Sequence, residues 1–84
     1  MINSLRIGVA DDEPDVREFY QLVLPDLGHQ VVVCARNGLE FVDLCKASSP
    51  DLVIVDVLMP KLGGLDAIHE LSVDGLLPAI VVSG

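Results

Sequence analysis

Basic residues are scarce in this 84-residue chain: five Lys and Arg stand against 13 Asp and Glu, a net charge of -8, and the five are scattered singly. Binding nucleic acid requires clustered Lys and Arg to neutralise phosphates, so direct nucleic-acid binding is not expected. Long apolar runs are lacking as well. Half the residues are hydrophobic and the mean hydropathy is +0.55, yet no charge-free stretch approaches the ~18 residues of a membrane span. The opening MINSLRIGVADDE has one Arg, no long apolar segment and no small-residue cleavage site. A secretory signal is therefore not expected, no membrane association is indicated, and the cytoplasm is the expected compartment. Cysteine is limited to Cys34 and Cys45, too far apart for a CxxC redox or zinc pair and each set in an apolar pattern, which predicts buried thiols. Linkers, repeats and low-complexity segments are absent, so residues 1–84 read as one small domain, burying roughly 60% of its unfolded surface.

What is present is an alternation of short apolar runs with helical spacing. Leu5 to Ala10, Gln30 to Ala35, Leu52 to Val55 and Ala79 to Val82 read as strands, mostly rich in Val and Ile without polar alternation. That is the pattern of a parallel sheet covered on both faces. Pro14 suits the first turn of a helix, and Val16, Phe19, Tyr20, Val23 and Leu24 follow at i, i+3, i+4, i+7 and i+8. Leu39, Phe41, Val42, Leu44 and Cys45 predict a second helix, with Asn37-Gly38 as the turn into it. Leu65, Ile68 and Leu71 predict a third, ending near Asp74-Gly75. The order βαβαβαβ, with right-handed crossovers, gives an open α/β sheet.

Ligands of such sheets bind beyond the carboxyl ends of the strands, and the acidic residues collect there. The first strand runs into Asp11-Asp12-Glu13, the third into Asp56, and the fourth into Ser83-Gly84. Carboxylates favour helix N-termini by ~0.3–1 kcal/mol, which accounts for Asp11 to Asp15 but not for Asp56 at the end of a strand. Two carboxylates ~4 Å apart at an effective dielectric of ~20 repel by about 4 kcal/mol, so a group of three calls for a cation. A hard, oxygen-ligated ion such as Mg²⁺ fits best. Glu13 reads as a solvated helix-start residue, and Met59, Pro60, Gly63 and Gly64 as residues that shape the loop after Asp56. His29 and His69 lie away from the acidic rim, and Arg17, Arg36, Lys46 and Lys61 receive no chemistry.

These residues resemble the receiver domain of bacterial two-component response regulators. VADDEP at 9–14 is similar to the acidic pair after that family's first strand. DVLMPKLGGLD at 56–66 matches the D-x-x-M-P-x-x-x-G run around its phosphoacceptor, and LPAIVVSG at 77–84 resembles its fourth strand with a hydroxyl residue and a small residue following. Three such motifs in order at strand ends are specific. The resemblance implies a flavodoxin-like fold in which Asp56 accepts a phosphoryl group from a histidine kinase or phosphotransfer protein. It also implies Mg²⁺ held by Asp12 and Asp56, by the backbone carbonyl of Leu58 and by Asp11 through water, with Ser83 hydrogen-bonding a phosphoryl oxygen as a switch. The protein would then be no enzyme beyond catalysing its own phosphorylation.

The family's receivers continue through further helices and a fifth strand carrying a lysine and an aromatic switch residue; the sequence here stops at Gly84. The expectation is a receiver fold truncated after its fourth strand, impaired in signalling and holding phosphate only briefly. The alternative is a folded fragment that does not signal. A haloacid-dehalogenase-like phosphatase would need a second Asp where Leu58 stands, and a flavin module would need a phosphate cradle where Asp11 to Asp15 stand. An uncharged fourth strand left at an edge predicts a homo-oligomer formed through that edge.

Overall fold

The computed structural model describes residues 4–72 and 77–82. Its elements are β1 (Arg6–Ala10), α1 (Pro14–Asp26), β2 (Gln30–Ala35), α2 (Gly38–Ser48), β3 (Leu52–Asp56), α3 (Gly64–Ser72) and β4 (Ala79–Val82). The four strands form one parallel sheet in the order β2-β1-β3-β4, the arrangement of a flavodoxin-like fold. The chain runs from β1 outward to β2, then returns across β1 to β3. With right-handed crossovers that reversal puts α1 on one face and α2 with α3 on the other. It also creates a topological switch point between β1 and β3.

Alternation along the strands fills both faces. Ile7, Val9 and Ile54 join Leu24 of α1 on one side, with Tyr20 packed against them. Ala10, Val33, Ala35, Val53 and Val55 meet Phe41, Val42 and Cys45 of α2 and Ala67 of α3 on the other. Phe41 is fully buried there, and complete burial of such a side chain contributes about 1.5–3 kcal/mol. A bulge keeps the layers in step: Ile7 pairs with Val31 but Gly8 with Val33, so Val32 is the extra residue. Cys45 is buried, and burial pushes its thiol up to about 12; Cys34 is half-buried and raised by the same cause.

Local chemistry sets the helix ends. Pro14 opens α1 as expected, and the helix closes with Gly28 in the left-handed region at φ +92°. The Gly28 amide donates to Pro25 and the His29 amide to Leu24, a Schellman ending. His29 then accepts a hydrogen bond at Nδ1 from the Leu5 amide. Asn37 is the N-cap of α2, its Oδ1 accepting from the Glu40 amide at 2.9 Å, while Glu40 accepts from the Arg36 amide. Gly38 is thus the first residue of the helix rather than part of a turn. The expected end of the third helix near Asp74-Gly75 lies outside the described residues.

Several apolar positions depart from the sequence pattern, among them Leu39 and Leu44 of α2 and Leu65 of α3, which are exposed. Phe19 was expected on the buried stripe of α1 but is 57% exposed, meeting Tyr20 edge-on at 5.9 Å. Val16, Tyr20, Val23 and Leu24 of α1 are covered at least in part, whereas Phe19 falls on the flank of that stripe. Ile80 and Val81 of β4 are exposed, and among the described residues β4 pairs only with β3. No helix among the described residues is long and apolar enough to cross a membrane.

Candidate functional site

Strand register assembles the site. Ala10 pairs with Val55, so Asp11 and Asp56 emerge side by side from adjacent parallel strands at the switch point. Asp11 extends β1 by donating its amide to the Ala35 carbonyl at 3.1 Å. Asp12 follows at the surface. Carboxylate oxygens of Asp11, Asp12 and Asp56 lie within 4.8 Å of one another, with Asp11 buried, Asp56 half-buried and Asp12 exposed. The three acids expected to converge do so.

Asp11 is fixed by three contacts. Its amide is held by β2, its Oδ1 accepts from the Glu13 amide at 3.0 Å, and its carbonyl accepts from Arg17 Nη1 at 2.9 Å. Burial raises its carboxyl above the ordinary 3.8, and the charges of Asp56 and Asp12 add to the rise; the Glu13 amide and Arg17 oppose it. Tyr20 feels the same field: burial, then the charges of Asp11 and Asp56, push its phenol up.

The segment after Asp56 folds back tightly. The Leu58 amide donates to Asp56 Oδ1 at 3.2 Å, and the Gly64 amide donates to the Val57 carbonyl at 3.1 Å. A Cβ at Gly64 would collide with the Asp56 carbonyl, so the loop closes here only because the residue is glycine. Met59 and Leu62 pack on the core while the Leu58 side chain is in solvent. Ser83, the expected phosphoryl hydrogen-bond donor, lies outside the described residues.

Three carboxylate oxygens are hard donors, suited to Mg²⁺ or another oxygen-ligated ion and not to a soft metal. A spread of up to 4.8 Å suits an ion that keeps some ligands as water, as Mg²⁺ does. His29 and His69 take no part: His29 binds the Leu5 amide, and His69 is exposed on α3. Arg17 and Tyr20 were missed by the sequence reading. The available signal was position, since a side chain in the first turns of a helix points back toward its N-terminus, and Arg17 sits one turn after Glu13.

An open parallel α/β sheet with an acidic triad beside its switch point defines a flavodoxin-like domain with an acidic cluster at its strand ends. The family model for the response regulator receiver domain matches residues 7–84, and the chain belongs to that family. It is 36% identical over 78 residues to the transcriptional regulatory protein PdtaR of Mycobacterium tuberculosis, covering 93% of this chain and 38% of that protein. It is 39% identical over 82 residues to a protein-glutamate methylesterase/protein-glutamine glutaminase of Myxococcus xanthus, covering 96% of this chain and 23% of that protein. The response regulator domain of Thermotoga maritima CheB superposes with a TM-score of 0.89 at 28% identity, covering 96% of this chain and 61% of that one. The chain thus spans less than half the length of these two curated relatives.

The cost of holding a buried charge beside two others is testable without any metal. Because Asp11 titrates above 3.8 when folded, the folded state holds a proton that the unfolded state has released. Stability therefore falls as pH rises from about 4 through the raised value, and is lowest once Asp11 is ionised. Asp11→Asn keeps the acceptor for the Glu13 amide and removes the charge. In chelator at pH 7 it is expected to raise the melting temperature by roughly 2–6 °C. The gain should shrink toward pH 4, and Mg²⁺ should stabilise the wild type more than the variant. Thermal melts followed by circular dichroism check this; identical melts across pH would refute it.

Proposed function

We propose that this receiver domain accepts a phosphoryl group on Asp56 from a phosphohistidine of a histidine kinase or phosphotransfer protein in a two-component phosphorelay. The observation that carries the reading is the convergence of the Asp11, Asp12 and Asp56 carboxylates within 4.8 Å at the carboxyl end of β1 and β3. Asp56 is the acceptor because it lies at the end of β3, only half-buried and held by the Leu58 amide, whereas Asp11 is buried and tied to the Glu13 amide.

An Asp56 carboxylate oxygen attacks phosphorus, the bond from phosphorus to the imidazole nitrogen breaks, and the electron pair leaves with the imidazole, which is then protonated. Asp12 and Asp56 would hold Mg²⁺ directly, with the Leu58 carbonyl, and Asp11 through water. When bound, the ion supplies neutralisation of charge on the phosphoryl oxygens. Asp11 is fixed at its amide, carboxylate and carbonyl and so stays beside its acidic neighbours. Ser83, which follows Val82 in the chain, is proposed to donate a hydrogen bond to a phosphoryl oxygen and so report the phosphorylated state. Catalysis extends no further than the chain's own phosphorylation, and the proposed setting is the cytoplasm.

Incubation with Mg²⁺ and an acyl phosphate, followed by intact mass measurement, tests the assignment. Wild type should gain one phosphoryl group, and Asp56→Asn should gain none. Phosphorylation of the variant at the wild-type rate would sink the assignment of Asp56.

A second copy of the chain is the proposed partner of β4. Ile80 and Val81 are exposed, and β4 carries no charged residue to blunt strand pairing. Sedimentation of the 84-residue chain at tens of micromolar should show a dimer or larger species that Val81→Lys returns to monomer. A wild-type monomer would contradict edge association.

A further inference from the structure

The backbone of the loop after Asp56 is pressed against the start of α2. A Cβ at Gly38 would lie inside the contact distance of the Leu62 carbonyl oxygen and only 2.6 Å from the Leu62 carbonyl carbon and Cβ. Gly38 is buried at the first position of α2, directly after the Asn37 cap. On the other side of the same loop, Gly64 meets the Asp56 carbonyl in an equally close approach. The stretch from 57 to 63 is thus clasped between two bare Cα atoms, one beside Asp56 and one on a helix from the other side of the chain's crossover.

Between these contacts the loop holds a costly conformation. Lys61 sits at φ +72°, and the Leu62 amide donates to the Pro60 carbonyl at 2.9 Å. An i→i+2 hydrogen bond around a residue of positive φ is the rare, strained form of γ-turn. Such strain persists only where the surroundings over-determine it. Gly38 supplies that constraint by admitting the Leu62 carbonyl, while the Leu62 side chain packs on the core.

We propose that Gly38 is a positioning residue for the acceptor loop: its bare Cα receives the Leu62 carbonyl and thereby fixes the course of the backbone that carries Leu58 past Asp56. Gly38 touches neither the acids nor a ligand and acts through Leu62. The proposal deepens the phosphoacceptor reading and rests on it for its metal-binding arm alone.

The substitution Gly38→Ala is diagnostic because its local effect has the opposite sign. Ala is the better helix former, so without the loop contact the change would strengthen α2. Amide hydrogen exchange of the full chain in chelator gives a reading that needs no ligand. Gly38→Ala should lower protection of the Gly64 amide, which closes the loop on Val57, at least tenfold more than protection of the Val9 amide in β1. Ile7→Val, a mild core change on the opposite face of the sheet, should lower both together. Lys61→Gly relieves the positive φ and lets the loop yield; if Gly38→Ala does not fold, the double change Gly38→Ala with Lys61→Gly should fold and show the selective loss that Lys61→Gly alone does not. Calorimetric titration should then show the Mg²⁺ Kd raised at least fivefold in the variants that carry Gly38→Ala and within twofold of wild type in Ile7→Val. Equal loss at Gly64 and Val9, or no loss at Gly64, would overturn the proposal. A wild type that binds no Mg²⁺ would count against the phosphoacceptor reading instead, while the exchange comparison would still decide the role of Gly38.

Discussion

Parallel pairing of β1 with β3 is the constraint on which the rest of this molecule depends. With Ala10 opposite Val55, two strands that are separated by some forty residues of chain end at the same level and release Asp11 and Asp56 as neighbours. A slip of one residue would turn Val53 and Val55 away from Phe41 and expose the layer that the core is built on. The apolar alternation that fixes the fold therefore also fixes the site, and neither can shift without the other. Burial of Val9, Val53, Val55 and Phe41 offsets the repulsion of three carboxylates held within 4.8 Å.

The rim is rigid for reasons that lie in three different elements. Asp11 is tied to β2 through Ala35, to the start of α1 through Glu13 and to the first turns of α1 through Arg17. Asp56 belongs to a strand with neighbours on both sides, and its loop is shut by Gly64 and Val57. Preorganised carboxylates have little freedom to relax apart, so their repulsion remains in the folded state. Burial first, and then the charges of Asp56 and Asp12, raise the Asp11 carboxyl, and the same neighbouring charges are what the proposed cation would neutralise.

Much of this was legible in the sequence because each signal was local or periodic. The Val- and Ile-rich runs marked the strands, Pro14 marked the opening of α1, and the acids stood out because Asp56 ends an apolar run where capping offers no reason for it. The register that brings Asp11 beside Asp56 was legible only through the fold class, since nothing in either segment names its partner. Phe19 was misplaced because helical spacing defines a stripe but not the width of the surface beneath it. Asn37-Gly38 looked like a turn from its residue types, whereas the cap to Glu40 makes Gly38 helical, and the reason for a glycine there lies in Leu62, twenty-four residues away. Arg17 carried no motif, and its bond to the Asp11 carbonyl depends on how the first turns of α1 project backward.

Strand register sets the Asp11, Asp12 and Asp56 carboxylates together where a divalent cation is proposed to bind. Mn²⁺ prefers the same oxygen donors as Mg²⁺ and broadens the NMR signals of nearby nuclei, so titrating it in substoichiometric steps maps the ion directly. The amide signals of residues 11–13 and 56–58 should disappear first, while those of Leu5, His29 and Gln30, at the opposite end of the sheet, persist. Uniform broadening along the chain, or early loss centred on acidic residues elsewhere such as Asp43 or Asp66, would contradict binding at this cluster.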